Sequence, residues 1–286
     1  MGFKSLAECA SSWVEGRLWQ QPLHKSGTPV LPAVGYWMDL SMAGGMPKYN
    51  AYVGDQNTFT SMVGASNFGI NTGLSGTKYL SRIMLGGSGV ANTVFPANVM
   101  LCDYVGFYPL VDLDVVGYQA FDNTNSITRY STGGLKVMVV CTVPQTTGSP
   151  IACIMYYRNQ DNVDRVTTFY VQAANLGQLN ASASSVAGTL GTASPFVPLG
   201  TGDHSILRVN AIEMANSAGG FASFVLVKPL ATVHVPESIT PVEIDFAIHR
   251  QPIPEILSGA YLNLLCFPCS KGTASGIVRG QFDFIQ

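Results

Sequence analysis

The stretch from Leu135 to Gln172 reads LKVMVVCTV, PQTTGSP, IACIMYYR, NQDN and VDRVTTFYVQ, and it decides the fold class. Two apolar runs, Leu135–Val143 and Ile151–Arg158, are joined by turn-forming residues, which predicts a hairpin or two loop-linked strands. The third run, Val163–Gln172, alternates along its length and is rich in β-branched and aromatic residues, so it predicts another strand. The pattern therefore indicates a β protein.

The same signals recur elsewhere in the chain, separated by turns such as residues 216–220. Beyond the first few residues, no apolar stripe of helical period and length is found. Eight or nine strands at this spacing favour an all-β fold, either a β-sandwich or a jelly roll with long insertions. The further strands are predicted at Val99–Leu113, Ser205–Met214, Phe221–Lys228, Val242–Ile248, Tyr261–Phe267 and Gly276–Ile285.

Residues 1–54 are predicted to form a short N-terminal helix and an extended N-terminal arm. A capping box begins at Ser5, and the helix is expected to end before Gly16. The Gly/Pro-rich segment Gln21–Gly54 has no sustained periodicity, which is typical of an arm lying across a partner subunit. Removal of residues 1–54 is therefore expected to leave a folded β domain. The apolar helix face comprises Leu6, Ala10, Trp13 and Val14.

Four aromatic residues of the predicted arm are candidate anchors for a subunit interface, because buried aromatic side chains dominate interface energetics. The alternative is that they pack in the core of their own chain. Residues 55–286 form the predicted β-sandwich domain, with a Ser/Ala/Gly-rich surface loop or linker at 175–202. The four candidate anchors are Tyr36, Trp37, Tyr49 and Tyr52.

The composition limits the function classes open to the chain. Of 286 residues, 47% are hydrophobic and only 11% are charged, with a formal net charge of -2. Disorder is excluded by this hydrophobicity, and direct nucleic-acid binding is disfavoured because no basic surplus is present. No apolar segment is long enough to span a bilayer. A surface this poor in charge predicts that neighbouring subunits cover much of it, with a homotrimer as the expected state.

The pair Cys266 and Cys269 is the one cysteine motif that suggests chemistry. Zinc would require a second pair or suitably spaced histidines, and the sequence has neither, so no metal is predicted. A disulfide, within the chain or to a neighbouring subunit, is the alternative to buried thiols that act as small hydrophobic groups. No other cofactor is predicted.

None of the candidate catalytic motifs predicts an enzyme. Asp203-His204-Ser205 is not a triad, because neighbours on an extended chain point to opposite faces. The glycines of residues 86–89 lack the Lys-Ser/Thr of a phosphate-binding loop and predict a flexible turn. Asp112 and Asp114 are predicted to share one face of a strand, either as a cation site or as a solvated pair. His234 and His249 are expected in a core or an interface.

Five segments spread from end to end of the chain resemble tailed-bacteriophage head proteins. They are Met1–Leu6 with the helix before Gly16–Trp19, Tyr36–Leu40, Asp103–Pro109, Ile127–Leu135 and Pro252–Leu262. The resemblance implies a non-enzymatic structural protein of the virion that is made in the host cytoplasm and that contacts other shell proteins. It supplies no catalytic residues.

Two roles within a phage head compete under this resemblance. A major capsid protein of the common type is built around a long spine helix, which this sequence does not show. A decoration or cement protein is often a β-sandwich that trimerises on the outside of the shell, and this role is the favoured one. A tail or baseplate component and a host glycan-binding β-sandwich protein are the remaining alternatives.

Overall fold

A computed structural model describes residues 6–26, 36–64, 69–70, 72–73, 76–87, 95–183, 194–237, 240–246, 248, 252–268 and 277–286. Within these ranges the chain is almost entirely β, with one short helix, α1 (Leu6–Val14), and a 3-10 turn at Leu40–Met42. The strands are β1 Leu18–Lys25, β2 Met38–Asp39, β3 Gly45–Met46, β4 Thr60–Ser61, β5 Lys78–Gly87, β6 Ala97–Asp112, β7 Gly117–Ala120, β8 Lys136–Val143, β9 Ile151–Asn159, β10 Asp164–Val171, β11 Ala181–Ser182, β12 Ile206–Met214, β13 Phe221–Val235, β14 Val242–Asp245, β15 Glu255–Ile256, β16 Leu262–Pro268 and β17 Val278–Ile285.

The strands form three antiparallel sheets. The central sheet has the order β2-β16-β6-β13-β8, with β4 added to β6. The five-stranded sheet has the order β11-β10-β9-β12-β7, and the terminal sheet has the order β14-β5-β17-β1-β3, with β15 added to β5. This arrangement confirms the predicted all-β sandwich with one short N-terminal helix.

The two longest strands, β6 and β13, are paired from Ala97 opposite Val235 to Asp112 opposite Phe221. Three register shifts interrupt this pairing. Each shift is a bulge that bends the strands and changes which side chains face which layer. The pair can therefore contribute to two different cores along its length.

Two large cores pack the central sheet against the other two sheets, and a third buried cluster contains Tyr104 and Phe107 of β6. Val105 and Tyr108 of β6 pack with side chains of β9, β10 and β12, which places this core against the five-stranded sheet. Val99 and Leu101 of the same strand pack with side chains of β1, β5 and β17 of the terminal sheet. The central sheet is thus the layer shared by both halves of the sandwich.

Strand β1 is an internal part of the terminal sheet. It pairs with β17 along its whole length, from Leu18 opposite Ile285 to Lys25 opposite Val278. Its other side pairs with β3, and Gly45 lies so close to the His24 carbonyl that a Cβ atom there would overlap it. Residues 18–25 therefore belong to the sheet and not to a separable arm, which corrects the boundary predicted at residue 54.

The helix α1 is formed as predicted, but three described residues of its apolar face are exposed in this chain. Trp13 is 46% exposed and Val14 is 88% exposed, and Ala10 is also exposed. The positive φ of Gly16 ends the helix where the sequence indicated. The periodicity predicted the helix correctly. An apolar stripe does not show whether its own chain or another molecule buries it.

Removing residues 1–25 is expected to abolish cooperative folding, because β17 then loses its neighbour and the buried Leu23 leaves the core. Removing only residues 1–16 is the matched control, since the described side chains of α1 are exposed apart from Ser12. Circular dichroism with thermal melting compares the two. A cooperative transition in the chain that begins at residue 26 would contradict this placement of β1.

Candidate functional site

The four predicted interface aromatics lie in three different environments. Trp37 packs on Phe267 with ring centroids 5.3 Å apart, and Tyr52 is 1% exposed, so both side chains belong to the core of their own chain. Tyr36 is half-buried, and its hydroxyl donates to the Ala173 carbonyl at 3.3 Å. Tyr49 is 45% exposed, and it remains the accessible candidate of the four.

Tyr52 is buried, and its hydroxyl donates to a buried carboxylate. Asp39 is fully buried, and its two oxygens accept from the hydroxyl of Tyr52, from the Tyr104 hydroxyl at 2.7 Å and from the Ser41 backbone and hydroxyl at 2.8 and 2.7 Å. Burial raises the pKa of Asp39, and these hydrogen bonds oppose the rise. The network joins residues 39–52 to β6, which corrects the interface prediction for Tyr52.

Lys25 lies near the same carboxylate. Its ammonium donates to the backbone carbonyls of Pro47 at 2.7 Å and Ala43 at 3.3 Å, and the side chain is fully buried. Burial lowers the pKa of Lys25 to about 8, and the negative charge of Asp39 counteracts part of that effect. A buried cation and a buried anion therefore hold residues 39–52 in place.

A buried ion pair links β6 to a distant loop. Arg129 donates to both oxygens of Asp103, at 2.9 and 3.1 Å, and also to the Tyr104 carbonyl at 3.0 Å. The Tyr261 backbone N–H adds a further bond to Asp103 at 2.8 Å. Removing one partner of such a pair costs about 3–5 kcal/mol, because the other charge stays buried without compensation. The pair is structural in this geometry.

The described residues of the candidate catalytic motifs form hydrogen bonds to other residues of the chain. Asp203 accepts from Tyr157 at 2.5 Å and from Asn159 at 2.8 Å, which lowers its pKa. Ser205 accepts from the Leu135 N–H at 2.9 Å, so Asp203 and Ser205 face different partners. His234 is exposed and pairs with Asn98 at 2.9 Å, so it does not lie in the core of its own chain, and its placement in an interface stays a prediction. His249 and residues 88 and 89 lie outside the described residues.

Cys266 is fully buried in β16 among the apolar residues of the core against the terminal sheet. In β8 and β9, burial raises the pKa of Cys141 and of Cys153 to about 12. Cys269 lies outside the described residues, so the disulfide remains a prediction. In the part of the chain that is described, no three His, Cys, Asp or Glu side chains gather as metal ligands would.

Asp112 and Asp114 organise the turn between β6 and β7. The Asp114 N–H donates to the Asp112 carboxylate at 2.9 Å, and Ser217 donates to Asp114 at 2.5 Å. Gln119 reaches back to the carbonyls of Asp112 at 2.8 Å and Val115 at 3.3 Å. Asp114 lies in the turn and not on the strand, so the two carboxylates do not share a strand face as predicted.

This turn presents apolar side chains to solvent. Val116 is 59% exposed and Tyr118 is 61% exposed, although side-chain bonds hold the backbone on both sides. Large exposed apolar patches mark interaction sites in soluble proteins. We refer to the exposed apolar side chains at this end of the central and five-stranded sheets as the apolar rim. Its members are Leu110, Val115, Val116, Tyr118 and Val143.

Leu110 has an unusual backbone for its residue type. Its φ is +53°, it lies at a register shift between β6 and β13, and its side chain is exposed while Pro109 and Val111 are buried. A left-handed conformation costs a non-glycine residue about 1–2 kcal/mol. The fold thus accepts local strain that turns a leucine side chain toward solvent.

A second exposed apolar surface lies beside the terminal sheet. It consists of Trp13 and Val14 on α1 together with Trp19 on β1, which is 38% exposed. We refer to these three side chains as the helix surface. The rim belongs to the central and five-stranded sheets, so different sheets carry the two surfaces.

Sequence reasoning missed the rim. Val115 and Val116 follow the apolar run Val99–Leu113 directly, so they resemble its continuation. The available signal was Asp112 with Asp114, since Asp side chains at an i, i+2 spacing favour turns. That signal places a turn at this point, but it does not reveal that the following valines are exposed.

Comparisons with known proteins give little further information. No protein-family model matches the chain, and no curated protein matches it. Solved structures of the VP2 protein of Infectious Bursal Disease Virus in derived T=1 particles align with 94% of this chain and 77% of theirs. The identities are 12% and 11%, and both TM-scores are 0.20, so this likeness carries no argument about function. Among the described residues, no helix has the length and apolar character needed to cross a membrane.

The free energy of unfolding is expected to depend on Lys25 at alkaline pH. Lysine in the unfolded chain titrates near 10.5, whereas Lys25 in the folded protein titrates near 8. Between these values the unfolded state binds more protons, so folding stability gains up to about 1.4 kcal/mol per pH unit from this group. Below pH 8 the contribution is flat.

Urea unfolding of the wild type and of Lys25→Met across pH 7 to 10.5 measures this effect. The free energy of unfolding of the wild type should rise relative to that of the variant above pH 8, because other titrating groups cancel in the difference. A difference that does not change with pH would show that Lys25 titrates as an exposed lysine does.

Proposed function

We propose that the chain is a non-enzymatic structural component of a bacteriophage head, a decoration or cement protein that bridges shell subunits. The observation that carries this proposal is the pair of exposed apolar surfaces, the rim and the helix surface, on different sheets of a chain with little charge. A protein that bridges neighbours needs more than one contact surface. Several modest contacts that must break together then resist the outward pressure of packaged DNA.

The rim has properties that favour binding over solvent exposure. Its turn is held by Asp112, Asp114, Ser217 and Gln119, so little backbone freedom is lost when a partner covers it. The exposed groups are mostly aliphatic and aromatic, and their burial against a neighbour removes apolar area from water. The strain at Leu110 is consistent with selection for contact at this position.

The low charge supports the same role. Charged side chains are costly to desolvate at an interface, whereas hydroxyls, amides and backbone groups pair there with little loss. With 15 basic and 17 acidic residues in 286, most of the surface can be covered without burying ions. We infer a homotrimer within the virion, in contact with other shell proteins.

The decoration role is favoured over that of a major capsid protein because the one helix among the described residues has nine residues. A long spine helix, which the resemblance implies for a common major shell protein, is not found in those ranges.

Light scattering of purified protein should give three times the chain mass of 30.4 kDa.

Replacing Val115 and Val116 with serine is expected to reduce incorporation into particles without unfolding the chain, because both side chains are exposed. Val163→Ser combined with Val166→Ser is the matched control, since these valines have similar exposure (46% and 55%) on the β9–β10 hairpin. Band intensities in gels of purified virions report copy number. Equal incorporation of both variants would contradict a role for the rim.

Two substitutions of Leu110 distinguish the effect of its backbone strain on stability from the effect of its side chain on incorporation. Leu110→Gly removes both the side chain and the strain of positive φ, whereas Leu110→Ala removes the side chain but keeps the strain. The glycine variant should be more stable than the alanine variant by about 1 kcal/mol, and both should be incorporated less well than the wild type. A glycine variant that is the less stable of the two would show that φ at Leu110 is not strained.

A further inference from the structure

A small pocket opens between β12, the β9–β10 hairpin and the segment after β7. It has a volume of about 180 Å³, below the roughly 300–1,000 Å³ of pockets for drug-sized ligands. It is therefore suited to a single ring or a smaller group. Neither the apolar rim nor the helix surface contributes a residue to it.

Two arginines line this pocket and lie directly opposite each other. Arg158 of β9 and Arg208 of β12 are cross-strand partners, and register shifts lie on both sides of Arg208. Like charges placed opposite each other destabilise a sheet, and bulges redirect side chains near functional sites. An anion bound in the pocket would stabilise two positive charges that lie this close together.

One carboxylate compensates one of the two arginines. Asp164 accepts from the Nε and Nη2 atoms of Arg158 at 2.9 and 3.0 Å, and from the Asn210 amide at 3.0 Å. Arg158 and Asn210 hold the pKa of Asp164 below its usual range, so this carboxylate stays ionised and engaged. Asp164 therefore forms a direct ion pair with Arg158 and interacts with Arg208 only at longer range, so two guanidinium groups share one carboxylate.

The second guanidinium remains available. Arg208 donates from Nε to the Asn210 side-chain oxygen at 2.9 Å, which fixes the orientation of the group. Among the described residues, neither of its terminal nitrogens has a hydrogen-bond acceptor. A guanidinium held by one edge with its two terminal N–H₂ groups unused matches the two oxygens of a carboxylate.

The other walls indicate what carries the carboxylate. Asn125 donates to the Phe59 carbonyl and Asn162 accepts from Arg158, which leaves the Asn125 oxygen, the Asn162 nitrogen and the Ser126 hydroxyl to pair with hydroxyls. Ile127 and Leu207 supply an apolar side suited to the C–H face of a ring. Hydroxyls, a carboxylate and an apolar face together describe a sugar acid.

We propose that this pocket binds a carboxylate-bearing saccharide residue, with the carboxylate on Arg208 and the hydroxyls on the surrounding amides and Ser126. Arg158 adds positive potential while it stays paired with Asp164. A nucleic-acid backbone is a poorer fit, because the chain has a formal net charge of -2 and a pocket of this volume holds one group rather than a track of phosphates. The proposal is independent of the structural role in a phage head.

The test is a titration of the isolated full chain followed by NMR, with the methyl glycoside of glucuronic acid as the probe. Methyl glucoside is the neutral control, and sodium sulfate is the control for charge alone. The glucuronide should shift the backbone amide resonances of Asn162 and Arg208, while methyl glucoside and sulfate should bind at least tenfold more weakly.

Variants of Arg208 test whether its guanidinium binds the carboxylate. Arg208→Met should weaken glucuronide binding at least tenfold, and Arg208→Lys should weaken it by a smaller factor, because lysine keeps the charge and loses the paired donors. Arg279→Met is the matched control, since Arg279 is exposed on the terminal sheet and donates to His24. Thermal melting of each variant confirms that it is folded.

Three results would overturn the proposal. The first is no shift at Asn162 or Arg208 with the glucuronide at millimolar concentration. The second is equal affinity for sulfate and the glucuronide, which would indicate a site for any anion. The third is equal loss of binding in Arg208→Met and Arg279→Met, which would place the interaction on the general surface.

Discussion

The pairing of β6 with β13 is the constraint on which the rest of the molecule depends. These two strands are long enough to form the wall of one core with the five-stranded sheet and of another with the terminal sheet. Asp103 lies on β6 between Leu101 of one core and Val105 of the other, and its bond to Arg129 satisfies a charge that would otherwise be buried alone. A break in this pairing would disrupt both cores. The bulges let the two strands bend while they stay paired along their length.

The same framework positions every surface to which a function is assigned. The end of β6 and the start of β7 fix the turn that carries the apolar rim, and the bulges of β12 place Arg208 opposite Arg158. The helix surface depends on β1, which is held between β17 and β3. Rigid strands thus present exposed groups at defined places, and this allows a protein with little charge to make specific contacts.

The sequence predicts most of the long strands, but no predicted strand covers the ten residues of β5, and the strand predicted at Phe221–Lys228 ends seven residues before β13 does. Runs such as 135–143 and 151–158 agree with β8 and β9, because they are rich in β-branched or aromatic residues and clear turns bound them. Strand β1 was predicted to be part of an arm, since Pro22 weakens a strand pattern and its partner β17 lies at the other end of the sequence. The burial of Tyr52 and the Arg158–Arg208 pocket could not be predicted, because each depends on side chains brought together across many residues: Tyr52 shares the carboxylate of Asp39 with Tyr104.

The central claim is that this chain is a shell component held by its exposed apolar surfaces. Electron cryomicroscopy of phage heads made with and without the chain tests it most directly. The difference map should show threefold clusters of density on the outside of the shell, each lobe fitting one copy of the sandwich with the rim against a neighbouring subunit. Identical maps, or a fit in which the rim and helix surface both face solvent, would contradict the account.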